Sequence, residues 1–182
     1  MILTTLQRLE ATLQAGEVTR YHAVPEVRPQ TDALHSWNMI ALALFITNGT
    51  ASWQLIVEIF GHDTGELFVG DIPFTVKRDN PELGRQINSM EATARHEHTM
   101  FGPLDLSPHD AAILKICDTL EGFIWCRKYE NVSRIGDPNL VVERWTHALY
   151  ACEAKFKEVI SDDEWTRTLA VYGHYRQTGG AA

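Results

Sequence analysis

Apolar residues recur along most of the chain at the three- and four-residue spacing of a helix, and nowhere do they alternate as a half-buried strand requires. Leu3, Leu6, Leu9 and Leu13 predict a first helix, with Thr4 or Thr5 as cap and Gly16 as stop. From Glu17 to Thr31 the period is lost and Pro25 and Pro29 intervene, which predicts a loop. A second helix starts near Asp32 and runs through Phe45 to Asn48-Gly49. Ser52 is placed to cap a third, Trp53 to about His62, whose Leu55, Ile56, Val57, Ile59 and Phe60 cover most of its circumference, as in a central, buried helix. Gly65, Gly70 and Pro73 break Thr64 to Asp79 into a turn-rich connection. Asn80-Pro81 starts a helix to about Met100, with proline where its missing N–H costs nothing. Ser107-Pro108 opens a long one to about Tyr129, with Ala112, Ile113, Ile116, Leu120 and Phe123 as its buried stripe. Two more helices are expected, roughly Asn139 to Ile160 and Asp162 to Gln177, before a frayed tail at 179–182. The pattern is all-α, a single compact bundle of about six to seven helices in one domain over residues 1–178.

Composition narrows the partners. Of 182 residues, 24 are Asp or Glu and 16 are Lys or Arg, a formal charge of −8. That balance excludes a broad nucleic-acid or anionic-membrane surface, both of which are bound through concentrated positive charge. The longest apolar run, Met39 to Ile46, is too short to span a bilayer, and the start lacks a basic segment followed by an apolar one, so a cytoplasmic protein is expected. Cys117, Cys126 and Cys152 form no Cys-x-x-Cys pair and fit a reducing compartment. In that setting the sequons at Asn48 and Asn131 are chance matches. The aromatic-rich last helices, with Trp145, Trp165, Tyr172 and Tyr175, suggest a homo-oligomer surface.

Among eight histidines, context separates the informative ones. His109-Asp110 follows Ser107-Pro108, where an aspartate in the first turn is explained by the helix dipole. His96-Glu97-His98 cannot act jointly from one helix, because side chains two apart diverge by about 200°. His62-Asp63, by contrast, ends an otherwise apolar helix. Burying both side chains unpaired would cost several kcal/mol, and a divalent cation removes that cost, since imidazole and carboxylate are good ligands for Zn, Mn, Fe, Co or Mg. His35 begins the apolar second helix, and Asp118 lies mid-way along the long one, in Ile113-Leu-Lys-Ile-Cys-Asp-Thr-Leu120.

The series His35, His62-Asp63, Asp118 on separate helices resembles the HD-domain superfamily of metal-dependent phosphohydrolases. More than these four positions matches. Thr19-Arg20-Tyr21 precedes Gln30-Thr-Asp-Ala-Leu-His-Ser-Trp37, and His62-Asp-Thr-Gly-Glu66 is followed by Gly70-Asp-Ile-Pro73 and Val76-Lys77. This extended pattern is similar to the compact 5'-deoxynucleotidases and to related small phage enzymes that hydrolyse dATP. The resemblance covers about Thr19 to Tyr129. Where that family usually carries Glu before the first histidine, this chain has Leu34, which puts the orientation of His35 in question.

The resemblance implies an all-α hydrolase in which His35, His62, Asp63 and Asp118 hold one divalent ion and Glu66 orients or deprotonates the attacking water. It implies that Arg20 and Lys77 contact phosphate, that Asp71 meets the sugar 3'-hydroxyl, and that the Tyr21 ring blocks a ribose 2'-hydroxyl. Lys115, three residues before Asp118 on one helix face, joins the phosphate-binding group. Three basic residues are more than a monophosphate needs. The expected substrate is therefore a deoxynucleoside triphosphate, dATP by analogy with the phage enzymes, cut to deoxyadenosine and triphosphate. The alternative is release of phosphate from a dNMP. Hydrolysis of an alarmone leaves a deoxyribose-gating ring without a use, and a non-catalytic nucleotide-binding or assembly module leaves the complete ligand series unexplained.

Overall fold

The computed structural model describes residues 3–24, 27–129 and 138–178. Among them are nine helices: α1 (Thr5–Ala15), α2 (Asp32–Ile46), α3 (Trp53–Gly61), α4 (Glu66–Val69), α5 (Phe74–Asp79), α6 (Pro81–His98), α7 (Pro108–Tyr129), α8 (Pro138–Phe156) and α9 (Asp162–Thr178). Seven are long and correspond to the expected set. The all-α reading holds with two additions. The turn-rich stretch after His62 contains the short α4 and α5. Within the expected loop, β1 (Thr19–Arg20) pairs antiparallel with β2 (Gln30–Thr31), Thr19 opposite Thr31. The tail at 179–182 and the sequon at Asn131 lie outside the described residues.

The chain packs as two compact units, and α2 and α3 contribute residues to both. The first consists of residues 1–23, 29–37 and 57–105. Thr4 caps α1 in a full capping box with Gln7. The leucine stripe of α1 is nevertheless exposed at Leu6 and Leu13, while Thr12 and Ala15 are buried and the Met100 N–H donates to Thr12 Oγ at 2.8 Å. Amphipathic spacing identified the helix, but polar Thr12 makes the inward contact. Pro81 begins α6 as expected, yet the Asn80 side chain donates to Val76 C=O, closing α5 rather than capping α6. α4 lies close against α6: a Cβ at Gly65 would sit 2.3 Å from the Glu91 carbonyl oxygen, so only glycine permits this approach just before Glu66.

Inside this unit is a buried ion pair that the apolar pattern of α3 conceals. Arg95 donates from both terminal nitrogens to Glu58, at 2.7 and 2.8 Å, and from Nε to Phe101 C=O; the Leu104 N–H also donates to Glu58. Burial alone would raise the Glu58 carboxyl, but the Arg95 and Leu104 hydrogen bonds outweigh it and hold it below its ordinary value.

The second unit comprises residues 24–28, 38–56 and 106–182, of which the described ones form the remainder of α2, the start of α3, and α7–α9. Ala112, Ile113, Ile116, Leu120 and Phe123 of α7 are all buried, as the stripe predicts. Ser52 Oγ accepts from the Leu55 N–H and caps α3. Of the late aromatics Trp145, Trp165 and Tyr175 are half-buried and Tyr172 is buried. Tyr172 is buried against Phe123, and the Trp145 ring covers Gly122, where a Cβ would come within 2.6 Å. Large exposed apolar side chains lie elsewhere, Trp37 at 71% and Trp53 at 75%.

His109 and Asp110 have the structural role expected of them. Ser52 donates to Asp110, and His109 Nε2 bonds Glu164 at 2.8 Å. Burial would lower the His109 pKa, but the hydrogen bonds to Glu164 and Asp110 raise it above 6.5. Because the folded value is the higher one, this contribution to stability is complete below the unfolded pKa and disappears as pH rises through the folded value. Thermal melts are expected to show wild type losing its advantage over His109→Gln as pH rises above about 6.5; parallel curves would contradict the assignment.

Candidate functional site

The first unit gathers Arg20, Tyr21, Asp32, His35, His62, Asp63, Glu66, Asp71 and Lys77. Two short backbone devices deliver the first four. The β1–β2 pairing, extended by the Asp32 N–H donating to Val18 C=O, ties the start of α2 to the Arg20 segment. Tyr21, immediately after β1 and Arg20, adopts φ +59°, a left-handed conformation uncommon outside glycine.

Asp63 stands at the centre. Its Oδ2 lies 3.1 Å from His62 Nε2 and 3.6 Å from His35 Nε2, and it accepts a hydrogen bond from Arg20 Nη1. His62 Nδ1 is 2.7 Å from the Ile59 carbonyl, to which it can only donate, so Nε2 is the nitrogen turned to Asp63. His35 is fully buried, its ring 5.3 Å from that of His62. Burial works to raise the Asp63 carboxyl, yet the charges of His62, Arg20 and His35 and the His62 hydrogen bond hold it well below its ordinary value. Two imidazole nitrogens and a carboxylate oxygen facing one another make a donor set that fits a divalent cation.

Leu34, the departure from the family pattern, is 40% exposed, whereas His35 beside it is fully buried. Asp32, one helical turn before His35, is the buried acidic neighbour that sequence reasoning missed. Burial, reinforced by Asp63 and Asp71, pushes its pKa up to about 8 against the opposing Arg20 and His62 charges. Glu66, in the first turn of α4, is also buried; desolvation and the Asp63 charge raise its carboxyl to about 10. Asp32, Asp63 and Glu66 each offer an oxygen within 4.8 Å of the others.

The remaining expected residues are more peripheral. Asp71 Oδ2 is 3.6 Å from His22 Nδ1. Lys77 donates to both oxygens of Glu91, at 2.7 and 3.0 Å, a partner that sequence spacing does not reveal. Asp118 and Lys115 belong to α7 in the second unit, three residues apart and ion-paired at 2.7 Å, so they do share a helix face. Among the described residues, neither His96 nor His98 joins a group of possible metal ligands.

With this geometry in hand, three comparisons place the chain. It is 28% identical over 130 residues to the 5'-deoxynucleotidase VP0926 of Vibrio parahaemolyticus serotype O3:K6 (strain RIMD 2210633), a match covering 60% of this chain and 67% of that protein. Its fold is similar to the cyanophage S-2L HD phosphohydrolase (DatZ), solved with dA and one catalytic Zn2+ ion, at a TM-score of 0.68 and 18% identity over 98% of both chains. The family model described as 5'-deoxynucleotidase YfbR-like matches residues 9–133, from α1 beyond the end of α7, and the chain thus belongs to this family of HD phosphohydrolases.

Proposed function

We propose that this chain hydrolyses the 5'-phosphate ester of deoxynucleotides at a centre where His35, His62, Asp63 and Asp118 hold one divalent ion, Zn, Co, Mn, Fe or Mg. The observation that carries the reading is the convergence of His35, His62 and Arg20 on Asp63, with Glu66 buried one turn further on. Asp118 enters on the sequence resemblance. When bound, the ion supplies Lewis-acid charge and lowers the pKa of water. The chain's own groups do the rest. Glu66, whose carboxyl would be ionised once a bound cation offsets the Asp63 charge, orients the attacking water and takes its proton, Arg20 grips the phosphate through its forked donors, and Lys77 and Lys115 add positive charge. Asp71, braced by His22, takes the sugar 3'-hydroxyl, and the Tyr21 ring excludes a 2'-hydroxyl. The water oxygen ends on the α-phosphorus, the P–O5' bond breaks, and the deoxynucleoside leaves with a proton on O5'.

Within this reaction dATP is the substrate we favour, giving deoxyadenosine and triphosphate, in keeping with the fold shared with the dA-bound phage protein. The pairing of Lys77 with Glu91 and the family assignment favour the second reading, release of phosphate from a dNMP. Chromatography of each dNTP, dNMP and ATP incubated with Mg2+, Mn2+ or Co2+ separates the two: triphosphate from dATP supports the first, and phosphate from dNMP alone supports the second. Lys77→Ala is expected to raise KM for dATP more than for dAMP, with kcat little changed; equal shifts in steady-state kinetics would remove Lys77 from the distal phosphates. The reaction belongs in the cytoplasm, where the three buried free thiols stay reduced. A homo-oligomer fits the exposed Trp37 and Trp53. No described helix is long and apolar enough to cross a membrane.

A further inference from the structure

We propose that Glu91 is a specificity-determining residue: it holds the Lys77 ammonium and so sets how strongly the site prefers a single phosphate over a triphosphate. Lys77 Nζ donates to both Glu91 carboxylate oxygens, at 2.7 and 3.0 Å, and the two side chains are only 20% and 17% exposed. The pair is built into the first unit from both partners. A Cβ at Gly84 would stand 2.8 Å from the Lys77 carbonyl oxygen, so α5 lies against α6 at backbone distance. Gly84 and Glu91 are seven residues apart, two turns along one face of α6, and that face meets Lys77 first at its backbone and then at its ammonium. The Glu91 main chain is also what Gly65 packs against, immediately before Glu66. One residue of α6 therefore abuts the segment that carries Glu66 and binds the lysine expected at the phosphates.

Arg20 is the contrasting case. Its acceptor Asp63 is a ligand in the proposed centre and turns to the cation when one is bound, which releases the guanidinium for phosphate. Among the described residues Glu91 joins no group of possible metal ligands, so nothing comparable releases Lys77. Burial raises the Glu91 carboxyl above its ordinary value against the Lys77 hydrogen bond and charge, and Asp63 and Asp71 add to the rise, which puts the pair within electrostatic range of the centre. A phosphate monoester carries about −2 and a triphosphate about −4 near neutral pH. The cation and Arg20 meet the charge of the first phosphate. The added charge lies beyond them, and Lys77 meets it only by leaving Glu91, exchanging one anionic partner for another at little gain. Glu91 thereby penalises the longer phosphate chain. The inference rests on the phosphate-ester reading above and on the role given there to Lys77.

Binding of dATP and of dAMP to the Zn2+-loaded full chain is measured by isothermal titration calorimetry in a Glu66→Gln background, where turnover is slow. Adding Glu91→Gln, which keeps the side-chain shape and removes the charge, should lower Kd for dATP about tenfold and change that for dAMP less than about twofold. Adding Lys77→Ala as well should abolish the gain. Glu91→Asp, which keeps the charge at shorter reach, should give a smaller gain of the same sign, and it decides the matter if circular dichroism shows that Glu91→Gln does not fold. Equal shifts for the two nucleotides, no shift for either, or a gain that survives the loss of Lys77 overturns the proposal and leaves the hydrolase reading standing. A dATP-specific gain with no hydrolysis of dATP or dAMP when Glu66 is intact overturns that reading and leaves the role of Glu91. Failure of both nucleotides to bind overturns both.

Discussion

His62→Ala is expected to lose bound metal and hydrolysis together. His62 is the side chain best fixed for ligation: Ile59 holds its Nδ1, and Nε2 is directed at Asp63. Removing it takes away a ligand and also leaves Asp63 without its largest charge partner, so neither the ion nor the low carboxyl pKa is maintained. Asp118→Ala should show the same joint loss if the fourth ligand is correctly assigned. Glu66→Gln separates binding from chemistry: Zn2+ content stays near that of wild type while kcat falls by roughly 10²–10⁴, the usual range for a general base. Elemental analysis beside single-turnover kinetics measures both quantities. A His62→Ala protein that retains metal or full activity would sink the assignment.

Arg95→Met is expected to be among the most destabilising single changes in the first unit. It leaves Glu58 buried without its guanidinium partner and frees the Phe101 carbonyl, and breaking a buried pair from one side costs about 3–5 kcal/mol. For a chain of this size that corresponds to a loss of about 6–20 °C in Tm. The double change Glu58→Leu with Arg95→Met should recover only part of the loss, because the Leu104 N–H and Phe101 C=O lose their partners, at about 1–3 kcal/mol each. Calorimetry of the two single variants and the double variant measures the coupling. Equal melting of Arg95→Met and wild type would show that the pair contributes nothing.

How far such features were legible in the sequence depended on the range of the signal. Caps and prolines act within one turn, so Thr4, Ser52, Pro81 and Ser107-Pro108 marked helix starts correctly. A four-residue helix such as α4 and a two-residue strand such as β1 are too short to carry a period. Asp32 was missed because an aspartate in a first turn is ordinarily explained by the helix dipole, and its burial leaves no pattern in the sequence. Glu58 and Arg95, 37 residues apart, are each unremarkable until the fold joins them. His35, His62, Asp63 and Arg20, which the structure brings together, all stand in the family pattern. Spacing could not reveal that Leu34 is exposed while His35 beside it is buried, or that Lys77 is held by Glu91.

Hydrolysis of dATP in 18O-labelled water tests the account most directly. Attack at the α-phosphorus puts the label in triphosphate and leaves deoxyadenosine unlabelled, and with dAMP the label appears in phosphate. Formation of dADP or dAMP from dATP, or label in the deoxyadenosine hydroxyl, would contradict it.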